Sequence, residues 1–328
     1  MGRRGVALVG TMTRIGVVFP GQGSQTPGMG TDVAATYPAA AALYNEAKSV
    51  LGYDLLALCA EGDEDKLRET RYSQPAIFVT NLALAAAVGD VLSPVVSAAH
   101  SFAEYCSLTL AGSLTFEAAL ALVNQRGLAM HRAASLSRGA MAAVLGLDDA
   151  LLRNAVAAAI ERGAGRVQLA NFNQPGQVVI SGDEGAVRVA GELALEAGAK
   201  RVIPLNVSGA WHSALMEPAQ AEFAKHIAGA TVRMPRFTVI SNVDAQPYTS
   251  IEQIKTNLIR SVTDEVRWHD AAIAMIAAGI DLIVEFGASP VLAPMMKRVA
   301  GAPKAIHVGD VAGVEKLRAQ LAPAGISQ

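Results

Sequence analysis

The stretch Val96-Ser97-Ala98-Ala99-His100-Ser101-Phe102-Ala103-Glu104-Tyr105 decides how this chain is read. The β-branched run from Pro94 to Ser97 predicts a strand continuing to Ala99, and the apolar segment reaching about Leu110 predicts a helix. A serine at a sharp junction between a buried strand and a helix holds its hydroxyl where substrate can meet it. The backbone N–H groups that follow then point at a developing oxyanion. A serine ahead of an apolar helix is also a common N-cap. Taken alone, the stretch leaves Ser101 as either cap or nucleophile, and the neighbouring segments have to decide.

Upstream, Ile15–Phe19 reads as a β-branched strand ending in Pro20-Gly21-Gln22-Gly23-Ser24-Gln25. Two glycines around a glutamine make a tight loop that aims either an amide side chain or a backbone N–H at a ligand. It is not a phosphate cradle, because no Gly-Lys-Ser/Thr follows. Tyr37–Leu51 reads as an amphipathic helix, and Leu55–Cys59 begins a shorter one. Ser73-Gln74-Pro75 is expected to break the chain ahead of an alanine-rich buried helix, Ala76–Val88. Downstream, Phe116 to about Ala134 predicts another helix, with Arg126 among apolar neighbours. An arginine there needs a structural ion pair, a snorkelling path to water, or an anionic ligand.

From Gly139 the rhythm becomes β-α-β-β-α-β. The strands are Met141–Leu147, Val167–Asn171, Val178–Ser181 and Arg201–Leu205, and the helices are Asp148–Arg162 and Glu184–Ala197. This is the order of a split βαβ, or ferredoxin-like, small domain. The chain then returns to strands alternating with helices: Met216–Ala228 (helix), Phe237–Ser241 (strand), Ile251–Ser261 and Trp268–Ala277 (helices), Asp281–Phe286 (strand), Val291–Val299 (helix). Such alternation predicts an α/β fold with a mostly parallel sheet covered on both faces and a site at the carboxyl ends of its strands. The expected division is an extension at 1–14, a discontinuous large domain at 15–137 and 208–328, and a small domain at 138–207.

The 328 residues are 52% hydrophobic and 17% charged, the composition of a packed globular chain. A net charge of −2 offers no basic footprint for nucleic acid and no polybasic membrane patch. The Leu82–Val88 apolar run stops at Gly89-Asp90, short of a membrane span. Two cysteines, Cys59 and Cys106, without C-x-x-C spacing suit reduced core thiols, so a soluble cytoplasmic protein is expected. No metal spacing is present, and no metal is expected.

A serine nucleophile needs a base. Of the six histidines, His131 and His226 fall on polar helix positions, His269 opens a helix and His307 ends a strand. His212 is the best base, in a Gly-containing loop beside Trp211, which can shield it and tune its basicity.

Together these segments resemble the malonyl-CoA:acyl-carrier-protein transacylases and their polyketide-synthase acyltransferase relatives. The resemblance rests on Val17-Val18-Phe19-Pro20-Gly21-Gln22-Gly23-Ser24-Gln25, Ser73-Gln74-Pro75-Ala76, His100-Ser101-x-x-Glu104-Tyr105 and Gln125-Arg126-Gly127. It continues through Asn171–Gly182, Val207-Ser208 with His212-Ser213, Asn242-Val243-Asp244, Val266-Arg267-Trp268 and Glu285-x-Gly287-x-x-Pro290-Val291-Leu292. The motifs run in order over roughly residues 15–310. The resemblance implies an α/β-hydrolase-like core and ping-pong transfer of malonyl from malonyl-CoA to the phosphopantetheine thiol of an acyl carrier protein. Ser101 would be the nucleophile and His212 the base. The backbone N–H groups of Gln22 and Phe102 would form the oxyanion hole. Arg126 would hold the malonyl carboxylate, with Gln74 lining the same pocket. No cofactor beyond the coenzyme A thioester substrate is implied, and a monomer is the default.

Three departures from the family pattern stand out. Ala99 and Ala103 replace the glycines that flank the usual nucleophile, so packing must admit a methyl at each place. Ser261 stands where related bacterial enzymes carry a glutamine whose carbonyl orients the histidine. Trp211 precedes the histidine where smaller side chains or phenylalanine are frequent. Its bulk, with that of Phe102, favours malonyl over methylmalonyl. The remaining alternatives are transfer or hydrolysis of another carrier-bound acyl group, and a catalytically weakened carrier-binding homologue.

Overall fold

The computed structural model describes residues 13–322. The expected extension at 1–14 lies outside them except for its last two residues. Among the described residues nine strands form two sheets: β1 (Ile15–Phe19), β2 (Pro94–Ala99), β3 (Gly139–Leu145), β4 (Val167–Gln174), β5 (Gln177–Asp183), β6 (Arg201–Pro204), β7 (Thr238–Ile240), β8 (Leu282–Phe286) and β9 (Lys304–Val308). The first sheet runs β7-β2-β1-β8-β9, with every pair parallel. The second runs β4-β5-β3-β6, with every pair antiparallel.

The parallel sheet follows from its sequence. β1 and β8 are buried at every residue, as apolar strands are when helices cover both faces. Phe19 stacks on Phe286, ring centres 6.1 Å apart, and joins the two strands at the carboxyl edge where the site lies. The antiparallel sheet packs its own apolar face, with Val144, Val178 and Ile180, against the helices Asp149–Glu161 and Glu184–Glu196. Asp148 caps the first of these helices by accepting from the Ala150 N–H.

One sequence expectation fails. The helix does not begin after Pro75 but runs from Thr70 through Val88, with Pro75 inside it. Proline removes a single N–H from the ladder. Burial of nearly every residue along this helix outweighs that loss. The stretch Thr70–Val91 is long and apolar enough to cross a membrane, yet most of it is buried inside the fold. It packs closely on the helix Phe116–Ala134. A Cβ added at Gly127 would lie 2.9 Å from the Thr70 carbonyl oxygen, so only glycine lets these helices approach and bring Gln74 to Arg126.

Candidate active site

Ser101 follows β2 directly, and its φ of 55° places it in the left-handed region. A non-glycine residue there costs roughly 1–2 kcal/mol, so other contacts must hold it. The His100 N–H donates to the Phe19 carbonyl at 3.1 Å and the Ala103 N–H to the His100 carbonyl at 3.2 Å. The Asn242 side-chain amide donates to the Ser101 carbonyl at 3.4 Å. The Ser101 side chain caps no helix. Its Oγ lies 2.7 Å from His212 Nε2. The cap reading therefore fails, and the contact is the one a hydroxyl nucleophile and its base require.

The two alanines flanking this turn bear no strain. Ala99 is the last residue of β2, paired with Phe19, and Ala103 has φ −63°, an ordinary right-handed conformation. Both methyls are fully buried in the core. The left-handed residue is the serine, so a Cβ on either side is accommodated by packing alone.

His212 also takes a left-handed backbone, φ 56°, and is 4% exposed. With its Nδ1 proton donated to the Asp264 carbonyl at 3.0 Å, its Nε2 is left to accept from Ser101. Burial holds its pKa down to about 3, helped by the positive charges of Arg126 and His100. The carbonyls of Asp264 and Ser261 oppose that shift without cancelling it. The ring is thus neutral and able to accept a proton throughout the physiological range. The close hydrogen bond comes from Asp264, not from Ser261, whose carbonyl instead accepts from Arg126 Nη2 at 3.2 Å. A backbone carbonyl is set by the path of the chain, so residue type at position 261 could not reveal this.

Arg126 is fully buried. Its Nη1 donates to Gln74 Oε1 at 3.0 Å, while its Nε has no partner. Burial lowers its pKa to about 10, so it stays a cation near neutrality. No carboxylate forms a salt bridge with it among the described residues. Neither a structural ion pair nor a snorkelling path describes it, because no carboxylate among the described residues pairs with it and its side chain is fully buried.

Ser101, His212, Arg126, Gln74, Gln22 and Trp211 line one cavity of about 140 Å³, together with Arg68, Met130 and Asn171. That space suits an acyl group of a few atoms, well below the several hundred Å³ of a typical drug-sized site. A wider groove of about 840 Å³, near Arg233 and Arg236, contains none of these side chains. Phe102 is buried in the core and is not part of the cavity wall, so only its backbone can serve the site; Trp211 supplies the bulk. The Gln22 loop sits tight against the Ser101 turn, since a Cβ at Gly21 would lie 2.7 Å from the His100 carbonyl oxygen. The backbone N–H groups of Gln22 and Phe102 have no acceptor among the described residues, while the Gln22 side chain is occupied by Thr70 Oγ1 at 3.2 Å. Any oxyanion contact from Gln22 therefore comes from its backbone.

Behind the serine lies a buried cluster without an assigned role in the sequence reading. The Glu104 carboxylate accepts from the Tyr248 hydroxyl and from the side chain and backbone N–H of Asn242. Burial raises its pKa to about 7 despite these bonds. The signal was present, an acidic residue in an apolar helix start, but its partners come from a segment some 140 positions later.

Comparison with known proteins gives a consistent result. Residues 17–322 match the family described as the acyl transferase domain. The chain is 40% identical over 304 residues to the malonyl CoA-acyl carrier protein transacylase of Haemophilus influenzae, covering 92% of this chain and 97% of that protein. It is 40% identical over 305 residues to the Bacillus subtilis protein of the same name, covering 93% and 96%. Among solved structures, an acyl carrier protein S-malonyltransferase from Vibrio cholerae superimposes with a TM-score of 0.89 at 40% identity, covering 93% of this chain and all of that one. A malonyl-transacylase solved in complex with its type II polyketide acyl-carrier protein gives 0.90 at 36% identity, covering 94% and 100%.

Proposed function

The chain belongs to the acyl transferase domain family, and from that membership we propose that it transfers malonyl from malonyl-CoA to the phosphopantetheine thiol of an acyl carrier protein, for fatty-acid or polyketide synthesis. The observation that carries this reading is Arg126, a buried cation with an unused donor and, among the described residues, no carboxylate partner, lining the same small cavity as Ser101 and His212. A malonyl carboxylate supplies the missing anion. A neutral acyl group would leave the cation unpaired, so the site selects for a dicarboxylic acyl chain.

In this mechanism His212 Nε2 takes the Ser101 proton as Oγ attacks the thioester carbonyl. The backbone N–H groups of Gln22 and Phe102 receive the oxyanion. The intermediate collapses, coenzyme A leaves as thiol with the proton from His212, and malonyl remains on Ser101. The carrier thiol then repeats the sequence in reverse, giving its proton to His212 and taking the malonyl group. Substrate also tunes the base. Arg126 depresses the basicity of His212, and a bound carboxylate neutralises that charge, so His212 becomes a better proton acceptor when malonyl is in place. Trp211 limits the space beside the acyl chain and favours malonyl over α-substituted groups.

The same reading assigns an α/β-hydrolase-like core at 15–137 and 208–328 and a ferredoxin-like small domain at 138–207. The strand order β4-β5-β3-β6 with two helices on one face supports the latter. It also takes the enzyme to be a cytoplasmic monomer needing no cofactor, and its two buried, unpaired cysteines suit a reducing compartment. A weakened homologue would be expected if Ala99 and Ala103 strained the turn, and the backbone at both is ordinary.

Incubation with radiolabelled malonyl-CoA tests the proposal. Wild type is expected to retain stoichiometric label that chases onto added carrier protein, and Ser101→Ala none. Equal labelling of the two proteins overturns the acyl-enzyme, and release of free malonate instead of transfer favours the hydrolase.

A further inference from the structure

The loop that carries His212 has few long-range attachments. Residues 207–213 form no strand or helix, and His212 is left-handed within them. Ser213 Oγ bonds only locally, to the Ala210 carbonyl at 2.7 Å. Among the described residues, one side chain from outside the loop reaches the backbone of 212–214, and it comes from the other sheet. Gln168 on β4 donates its Nε2 to the His212 carbonyl at 3.2 Å and to the Thr263 carbonyl at 3.1 Å. Its Oε1 accepts from the Ala214 N–H at 3.1 Å. Both protons and the oxygen of one amide are thus spent on two segments that must stay in register.

The second segment is the turn whose Asp264 carbonyl orients the imidazole. β4 holds that turn independently through its backbone: the Val266 N–H donates to the Ala170 carbonyl at 2.8 Å and the Phe172 N–H to the Val266 carbonyl at 2.8 Å. The Asp264 side chain is occupied by Arg260 at 2.8 Å and Thr263 at 3.1 Å, so it is not free to swing toward the ring.

We propose that Gln168 is a positioning residue for the His212 base, fixing the histidine backbone and the carbonyl that orients its ring in one frame, and thereby making the antiparallel sheet part of the catalytic apparatus. This rests on the serine–histidine reading above. A displacement of about 1 Å at such a pair costs on the order of 10²-fold in rate. The effect belongs to proton transfer, not to malonyl binding, because Gln168 does not line the cavity.

The test uses an alkyl fluorophosphonate, which reports Ser101 nucleophilicity without malonyl or carrier protein. Ser101 Oγ forms the bond to phosphorus, fluoride leaves, and His212 takes the serine proton. Gln168→Met keeps the side-chain length and removes all three hydrogen bonds. Gln168→Glu keeps the acceptor for Ala214 but turns a carboxylate toward two carbonyls. Per folded molecule, the labelling rate is expected to fall ~10- to 100-fold in both, with the KM for malonyl-CoA little changed. The acid limb of labelling should also move up, toward the ordinary histidine range, as a loosened His212 gains water. Arg126 from its helix and His100 from the serine turn continue to face the ring, so the shift is upward but incomplete. Should Gln168→Met fail to fold, Gln168→Glu is read by the same criteria. Wild-type labelling rates and an unmoved acid limb, with only a lower melting temperature, overturn the proposal and leave Gln168 a structural residue. Unreactive wild-type Ser101 overturns it together with the nucleophile. Intact labelling without malonyl transfer touches only the substrate assignment.

Discussion

Two fully buried charges sit at the carboxyl edge of the parallel sheet, and they are treated in opposite ways. Glu285, on β8, accepts hydrogen bonds from three successive backbone N–H groups, those of Val291 at 2.9 Å, Leu292 at 2.7 Å and Ala293 at 2.8 Å. These are N–H groups at the start of the 292–296 helix, which lack partners within it, so charge and donors satisfy each other. Arg126 has two neutral acceptors, an unused Nε and, among the described residues, no carboxylate in a salt bridge with it. A charge desolvated without its counter-ion is costly unless something else supplies the partner. Glu285 is therefore satisfied within the fold, whereas Arg126 is not, as the proposed malonyl-binding role requires.

Replacing each charge should separate the two roles. The largest effect is expected for Arg126→Met: acylation by malonyl-CoA falls by about 10²–10³-fold, the loss of a buried charged partner, while thermal stability is unchanged or higher because an uncompensated cation is gone. Stopped-flow acylation and a melting curve measure both, and a variant that keeps malonyl preference over acetyl removes the role given to Arg126. Glu285→Ala should show the converse. It strands three N–H donors and costs about 2–4 kcal/mol in denaturant unfolding, with little change in acylation per folded molecule. Full stability in that variant would collapse the contrast.

A smaller and pH-dependent effect is expected at Glu104, which lies between the extremes: buried and hydrogen-bonded, yet with its pKa raised from 4.5 to about 7 by burial. Its folded-state pKa is above its unfolded value. It therefore contributes stability that is fully present below about pH 4.5 and is lost as pH rises through about 7. Glu104→Gln should abolish that decline. His212, with its pKa lowered, acts in the other direction and loses stability as pH falls from 6.5 toward 3 in both proteins, so it cancels in their difference. Denaturant midpoints across pH 4–8 give the comparison. Parallel curves for wild type and Glu104→Gln would place the Glu104 proton elsewhere.

The residues that the sequence singled out share a property. Ser101 at a strand–helix junction, His212 in a loop beside tryptophan, Arg126 on an apolar helix and Gln22 between glycines are each locally anomalous, and the fold gathers all four at one cavity. Gln168 and the Asp264 carbonyl were invisible for the opposite reason, and Asn242 entered only as part of a motif without a role. An amide on a strand and a backbone oxygen are unremarkable locally, and acquire meaning only from what lies across from them. Pro75 misled because the rule against proline in helices is local, whereas burial of the Thr70–Val88 helix is not.

The order and type of the elements, the two kinds of sheet and the chemical inventory of the site were thus set by the sequence itself, since periodicity and residue type act over a few positions. Tertiary structure alone decided that the strain of the turn falls on Ser101 and not on its alanine neighbours, that the His212 ring bonds the Asp264 carbonyl while the Ser261 carbonyl takes Arg126, and that no carboxylate among the described residues lies within salt-bridge distance of Arg126. Each of these depends on distances between segments far apart in the chain, and no local pattern encodes them.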